Sequence, residues 1–157
     1  MSQIAKMLRA DEGFSSKPFI DTQGYPTIGT GQRIGPKGAA IQNYTFTISQ
    51  DISDAWMQVI AESYRPELSA HKTIGPAWIA CDEVRKDVLL NMAYQMGSSG
   101  LAAFSATLSL IAAGKFRQAS IEMLDSAWYR QTPQRAARLA NLMSNGDYNA
   151  YKAWFTV

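Results

Sequence analysis

The sequence predicts an α+β protein of two lobes, a small β-containing lobe and a larger helical lobe joined by a long helix. Three observations carry that prediction. Pro18, Gly24, Pro26, Gly29 and Gly31 break any helix in a stretch where Phe19, Ile20, Tyr25, Thr27 and Ile28 favour strand. From Ser49 onward, apolar residues recur at helical spacing almost to the end. A length of 157 residues with 46% hydrophobic content suits one domain, or two small lobes sharing a core.

Ile4, Leu8 and Glu12 are spaced by four, with Met7 beside them, so the first segment reads as an amphipathic helix over residues 2–12, capped by Ser2 and ended by Gly13. Glu12 falls on the extension of the apolar stripe, which predicts a partly desolvated carboxyl. Gln23-Gly24 is a turn between two short strands, and Pro26 points to an edge or irregular strand. Residues 33–47 have no clear period and close the small lobe, which we place at about 13–48. Ser49 caps the connecting helix, about 49–70, whose predicted buried stripe is Ile52, Ala55, Trp56, Val59 and Ile60. Val84, Val88, Leu89, Met92 and Met96 line one face of a further helix before Gly97-Ser98-Ser99-Gly100. Phe104 to Ala113 and Phe116 to Met123 are two more helices, parted by Gly114. Thr132-Pro133 starts the helix that carries Arg135, Arg138, Leu139 and Leu142 and ends near Gly146. Residues 71–157, together with the first helix, make up the predicted helical lobe of a single domain. A cleft between lobes is where Glu12 and Asp21 are expected.

Charge and composition narrow the function. The formal charge is +2, from 15 Lys and Arg against 13 Asp and Glu, with no dense basic block, which argues against nucleic-acid binding. Cys81 stands alone, reads as a small buried thiol on a helix, and fits a reducing compartment. The single His71 gives neither a metal cluster nor a Ser-His-Asp set, and no spacing resembles a zinc or calcium loop. The amino terminus lacks the apolar run of a signal peptide, and no later segment reaches transmembrane length. We therefore expect a protein made in the cytosol, monomeric by default, with no stable membrane insertion.

Glu12 at a helix end and Asp21 beside a turn are carboxylates in different settings, the arrangement that divides acid and base roles in glycoside hydrolysis. Glu12 suits the proton donor. Asp21 suits the ionised partner, with the Thr27 hydroxyl placed to share a water across the hairpin. Each has a plainer reading, Glu12 as a surface carboxylate and Asp21 as a turn residue. Composition and spacing leave hydrolase and binding module both open. The glycines form no phosphate loop, since no lysine and helix start follow at the required spacing.

The blocks "MLRADEG", "DTQGYPTIGTG", "NMAYQMG", "AFSATL" and "SAWYRQTPQRAARLA" resemble, in this order, phage lysozymes of the T-even type. That family comprises two-lobed muramidases of glycoside hydrolase family 24, and the likeness runs from Ile4 to about Tyr151. It implies Glu12 as general acid, Asp21 as the carboxylate that orients or activates water, and Thr27 as its helper. Inversion at the anomeric carbon is implied too, for which a carboxyl separation of roughly 6.5–9.5 Å is the usual geometry. Arg135 matches a buried arginine that pairs with the glutamate. Gln95 and Phe104 match cleft residues, with Tyr94, Met96 and Thr107 at neighbouring matching positions, so substrate contacts are expected from Gln95, Phe104, Thr107 and Met96. Asn91 reads as structural, and Trp128 as core.

The chain departs from the family pattern at Gln23, where a glutamate is usual, and at Gln32, where a histidine makes a stabilising salt bridge. Gln32 would remove a pH-dependent stability term, and Gln23 a charge near Asp21. Glu122 replaces an asparagine that faces the cleft, which bears on contacts to the peptide stem. The segment after Gln32 is shorter. The resemblance implies an endolysin acting on peptidoglycan, with no metal or organic cofactor, held in the host cytoplasm until a separate membrane-permeabilising protein lets it reach the wall. Two rivals stand beside it. A lytic transglycosylase would not need Asp21 or Thr27, and a wall-binding or virion structural protein would keep the fold without turnover.

Overall fold

A computed structural model describes residues 1–156 of the chain. Val157, the last residue of the predicted helical lobe, lies outside the described residues. The described residues pack as two units, one of Ala5–Ile60 and one of residues 1–4 together with those from Ala61 onward. The first holds a small antiparallel sheet and the second is helical, as the sequence predicts.

In the sheet unit, α1 (Ile4–Glu12) ends where Gly13 turns at φ +82° and its N–H returns to the Arg9 carbonyl. β1 (Ser15–Ile20), β2 (Pro26–Gly29) and β3 (Gln32–Arg33) follow in the order β1-β2-β3. Register pairs Phe19 with Thr27 and Thr27 with Arg33, so Thr27 is the central rung. Pro26 thus begins the middle strand and not an edge, a position proline tolerates at a strand's first residue. A single 3-10 turn, Ile41–Asn43, interrupts the segment before α2 (Gln50–Glu62).

The buried stripe of α2 differs from the predicted one. Ser53, Met57 and Ala61 face inward at a spacing of four, whereas Ile52, Trp56 and Val59 are exposed, Val59 to 70%. The cause is Ser53, a polar residue in an interior position. Its hydroxyl and carbonyl receive the Gln32 amide at 3.2 and 3.0 Å, while Gln32 Oε1 accepts the Thr30 N–H at 2.7 Å. Gly29, at φ +65°, has no room for a side chain, since a Cβ would stand 2.5 Å from the Ser53 hydroxyl. This neutral amide network fixes the rotation of α2 and turns its apolar neighbours outward.

α1 groups with the sheet from Ala5 onward, whereas the sequence had placed it with the helices. Its anchor is Arg9, whose Nη1 donates to Asp54 at 2.9 Å and to Gln50 at 3.4 Å, both on α2. The predicted helix over 49–70 also breaks. α2 stops at Glu62, and α3 (Arg65–Ala70) restarts with Pro66 in its first turn, because proline has no N–H to continue the ladder.

The helical unit continues with α4 (Gly75–Ala80), α5 (Glu83–Ala102), α6 (Ser105–Ala112), α7 (Phe116–Leu124), α8 (Ala127–Gln131), α9 (Pro133–Asn145) and α10 (Lys152–Phe155). Cys81 follows α4 rather than lying on it, and is buried as predicted, with burial pushing its thiol up to about 12. α5 is broken at Gly97, whose backbone is not helical. Its buried run Val88, Leu89, Leu90, Met92 and Ala93 forms the core with Ala136, Leu139, Leu142 and Met143 of α9.

One charge is sealed into this core. Asp87 of α5 is fully buried and accepts the Ser2 hydroxyl at 2.7 Å, the Gln3 N–H at 2.7 Å and the Tyr148 hydroxyl at 2.6 Å. Arg65 stands 3.8 Å away. Desolvation outweighs these donors and holds the Asp87 carboxyl above its ordinary value.

Three outcomes are expected. Asp87→Ala should lose about 3 kcal/mol in urea unfolding, because three donors lose their acceptor inside the core. Against Asp87→Asn, which does not titrate, the relative stability of the native chain should fall as pH rises through the folded pKa of Asp87, since a raised pKa favours folding at lower pH. In the sheet unit, Gln32→Ala should cost about 2 kcal/mol by removing the buried amide bonds to Thr30 and Ser53, which keep only their bonds to each other, a loss read in the same assay.

Candidate functional site

Asp21 follows directly on β1 and closes the turn into β2. Its N–H donates to the Tyr25 carbonyl at 2.9 Å, and the Gly24 N–H donates to its carbonyl at 3.0 Å. The carboxylate is held from the same loop. Oδ1 accepts the backbone N–H groups of Gln23 and Tyr25, each at 2.9 Å, and Oδ2 faces the Arg33 Nε at 3.3 Å. The Tyr25 N–H is the main cause that holds the Asp21 carboxyl below its usual value. Desolvation opposes it, and the Gln23 N–H and Arg33 add to it.

Thr27 sits in the middle of β2, nearly fully buried, and its hydroxyl donates to the Tyr25 carbonyl at 3.0 Å. The hydroxyl proton is therefore committed, and the oxygen is left to accept from a water. Asp21 and Thr27 are thus joined through one peptide group on either side of Tyr25. A water between them would donate to both oxygens, leaving its lone pair for attack.

Glu12 is the last residue of α1 and is exposed, which corrects the expected desolvation. Met7 and Leu8 carry the buried face, and the chain turns away at Gly13 before another helical turn could cover the side chain. Glu12, Asp21 and Thr27 all belong to the sheet unit.

The remaining predicted residues belong to the helical unit. Arg135 is buried near the start of α9, with Nε donating to Asn91 Oδ1 at 2.9 Å and Nη2 reaching the Asn91 carbonyl at 3.5 Å. Asn91 is fully buried and serves as this structural acceptor. Trp128, buried as expected, organises the others: its indole N–H donates to Gln95 Oε1 at 2.8 Å, and the Phe104 ring forms a T-shaped pair with it, centroids 5.8 Å apart. Gln95 Nε2 in turn reaches the Thr132 hydroxyl at 3.4 Å. Phe104 and Thr107 line one shallow hollow. Met96 lies elsewhere on α5, half-buried over Gly100, where an added Cβ would come within 2.9 Å of it.

Sequence reasoning missed Arg33. It donates to Asp21 and, at 2.6 Å, to Gln23 Oε1, and its guanidinium lies 3.8 Å over the Tyr25 ring. A basic residue directly across the sheet from Thr27 was the available signal, but it requires β3, which two residues do not announce. Among the described residues, no group of acidic, histidine and cysteine side chains is arranged to hold a metal.

The family description "Phage lysozyme" matches residues 9–144 of the chain. Probable T4-type lysozyme 1 of Dictyostelium discoideum is 32% identical over 169 residues, spanning 97% of this chain and 99% of its own. Probable T4-type lysozyme 2 of the same organism is 30% identical over 169 residues, with the same coverage. The pre-baseplate central spike protein of Enterobacteria phage T4 is 32% identical over 164 residues and matches 94% of this chain, which spans only 28% of that protein's length.

The role of Arg33 can be measured directly. Arg33→Gln should raise the Asp21 midpoint toward the ordinary carboxylate value while leaving it depressed by the Tyr25 and Gln23 donors, as followed by carboxyl carbon NMR. The sign for stability is the reverse of that for Asp87: the Asp21 contribution is present above its unfolded pKa and is lost as pH falls through the folded one.

Proposed function

The chain belongs to the phage lysozyme family, and on that premise we propose that it is a peptidoglycan muramidase. It hydrolyses the β-1,4 bond between N-acetylmuramic acid and N-acetylglucosamine, with inversion at the anomeric carbon. Glu12 gives its proton to the glycosidic oxygen as the bond to the anomeric carbon breaks. A water held by Asp21 and Thr27 forms the new bond to that carbon, and its proton passes to the Asp21 carboxylate.

The observation that carries this reading is the Asp21 turn. Backbone donors keep the carboxylate ionised, and Thr27, its proton already given to Tyr25, presents only an acceptor to water. Such a pair fixes a water's orientation without competing for its lone pair. Gln95, Phe104, Thr107 and Met96 are the proposed sugar contacts, and Arg135, held by Asn91, keeps the supporting role that the family likeness implies. The chemistry asks for no metal or organic cofactor.

We assign the chain the part of an endolysin, a monomer kept in the host cytoplasm until a separate permeabilising protein admits it to the wall. No helix among the described residues is long and apolar enough to cross a membrane. Similarity to a phage spike protein favours a second setting, in which the same enzyme, or a wall-binding module without turnover, is carried on a particle. A lytic transglycosylase would leave Asp21 and Thr27 without a task.

Mass spectrometry of fragments from purified peptidoglycan decides among these. The native chain should release reducing N-acetylmuramic acid ends, and Glu12→Gln should lower the rate by roughly 10²–10⁴-fold. Anhydro ends would mean transglycosylation. No fragments, from a wall that a control enzyme digests, would mean binding without turnover.

A further inference from the structure

Arg33 is held more firmly than its place on a short strand requires. Its Nη2 donates to Gln23 Oε1 at 2.6 Å, its guanidinium lies 3.8 Å over the Tyr25 ring, and its Nε reaches Asp21 Oδ2 at 3.3 Å. The ring fixes the plane of the guanidinium, and the Gln23 amide fixes its rotation in that plane. Strand pairing sets Arg33 opposite Thr27, the residue that carries the site's hydroxyl. Stability does not account for this. An ion pair whose arginine side chain is 46% exposed contributes little to folding. Nor is the arginine the main reason that Asp21 stays ionised, because the Tyr25 N–H is the leading cause.

Lone pairs show what the arginine adds. A carboxylate offers about four acceptor positions, two on each oxygen. On Asp21, Oδ1 has both taken, by the Gln23 and Tyr25 N–H groups at 2.9 Å. Oδ2 has one taken, by Arg33. A single position is left on the whole carboxylate. Without Arg33, Oδ2 would offer positions on both of its sides, and a water could settle at either.

We infer that Arg33 is a positioning residue, which blocks one lone pair of Asp21 Oδ2 and so leaves the attacking water a single place, between Oδ2 and the Thr27 hydroxyl. Thr27 contributes an acceptor only, since its proton is given to the Tyr25 carbonyl at 3.0 Å. The water donates to Oδ2 and to Thr27, and its oxygen lone pair forms the bond to the anomeric carbon. As the glycosidic bond breaks, the Glu12 proton goes to the leaving oxygen and a water proton goes to Oδ2. One water is consumed for each bond cut, and proton exchange with solvent resets both carboxyls. Arg33 gives up no proton and acts through Asp21. The hydrolytic step rests on the muramidase reading, and the blocked lone pair does not.

The test is steady-state hydrolysis of soluble glycan strands by the full chain and by Arg33→Met, Arg33→Lys and Gln23→Ala. Both side chains are exposed, so the variants should fold, as urea unfolding checks. Arg33→Met frees the second lone pair and should lower kcat roughly ten- to a hundredfold, with KM close to native. Arg33→Lys keeps a charge but has no planar fork to hold Gln23 and Asp21 together. The Asp21 midpoint in carboxyl carbon NMR should therefore stay near the native one while kcat remains low. Gln23→Ala lets the guanidinium swing, and should lower kcat alone but add little to Arg33→Met. A native kcat in Arg33→Met would overturn the assignment. A native kcat in Arg33→Lys would overturn it too, because charge alone would then suffice, as would additive losses in the double variant. A raised KM at unchanged kcat would make Arg33 a contact to the sugar and also sink the role. A native chain that leaves the glycan uncut fails the muramidase reading and the role with it, whereas the other outcomes fail the role alone.

Discussion

The peptide groups flanking Tyr25 hold the sheet unit's site together. The Tyr25 N–H donates to the Asp21 carboxylate, and its carbonyl receives both the Asp21 N–H and the Thr27 hydroxyl. Strand pairing, the turn and the orientation of both side chains thus share one residue's backbone. Backbone dipoles do not titrate and are not displaced by salt, unlike the half-exposed Arg33 beside them. The ionised state of Asp21 is thereby secured by the least variable groups available, with the arginine as a secondary aid.

Asp87 shows what burial does to the same functional group. Each carboxylate accepts three hydrogen bonds and has an arginine near, yet Asp87 is shifted upward where Asp21 is shifted downward. Hydrogen bonds to a carboxylate replace only part of the hydration that full burial removes. Asp21 is only partly desolvated, so its donors outweigh the opposing cost of burial. The number of partners does not set the sign of the shift. Access to water does.

Much of this was legible in the sequence where local rules decide. Pro133 and Gly146 bound α9 as read, Gly114 parts α6 from α7, and the Gln23-Gly24 turn joins β1 to β2. The stripe of α2 was misread because an apolar count cannot see a polar residue chosen for the interior. Ser53 occupies the inward face of α2 because Gln32, distant in sequence, supplies its partners, and the expected stripe is displaced. Arg33, half-exposed, was missed for a different reason, since its meaning comes from strand pairing. The exposure of Glu12 depends on how soon the chain leaves α1, which a repeat of four does not state.

The Gln32 network also bears on how the sheet unit responds to acid. The family likeness leads one to expect a titrating histidine at this position; here a neutral amide makes the buried contacts and contributes no change with pH. The response of the unit then falls to its carboxylates, and two of them act in opposite directions. Asp21, held low by backbone donors, loses its contribution as pH falls through its folded pKa. Asp54 is raised chiefly by desolvation, with Arg9 and Lys6 opposing, so its contribution is present at low pH and is lost as pH rises through its folded pKa. The first acts below the ordinary carboxylate value and the second above it. With a neutral amide at its centre, the strand-to-α2 contact carries no charge of its own, and the unit's pH response rests on Asp21 in the turn and on Asp54, paired with Arg9.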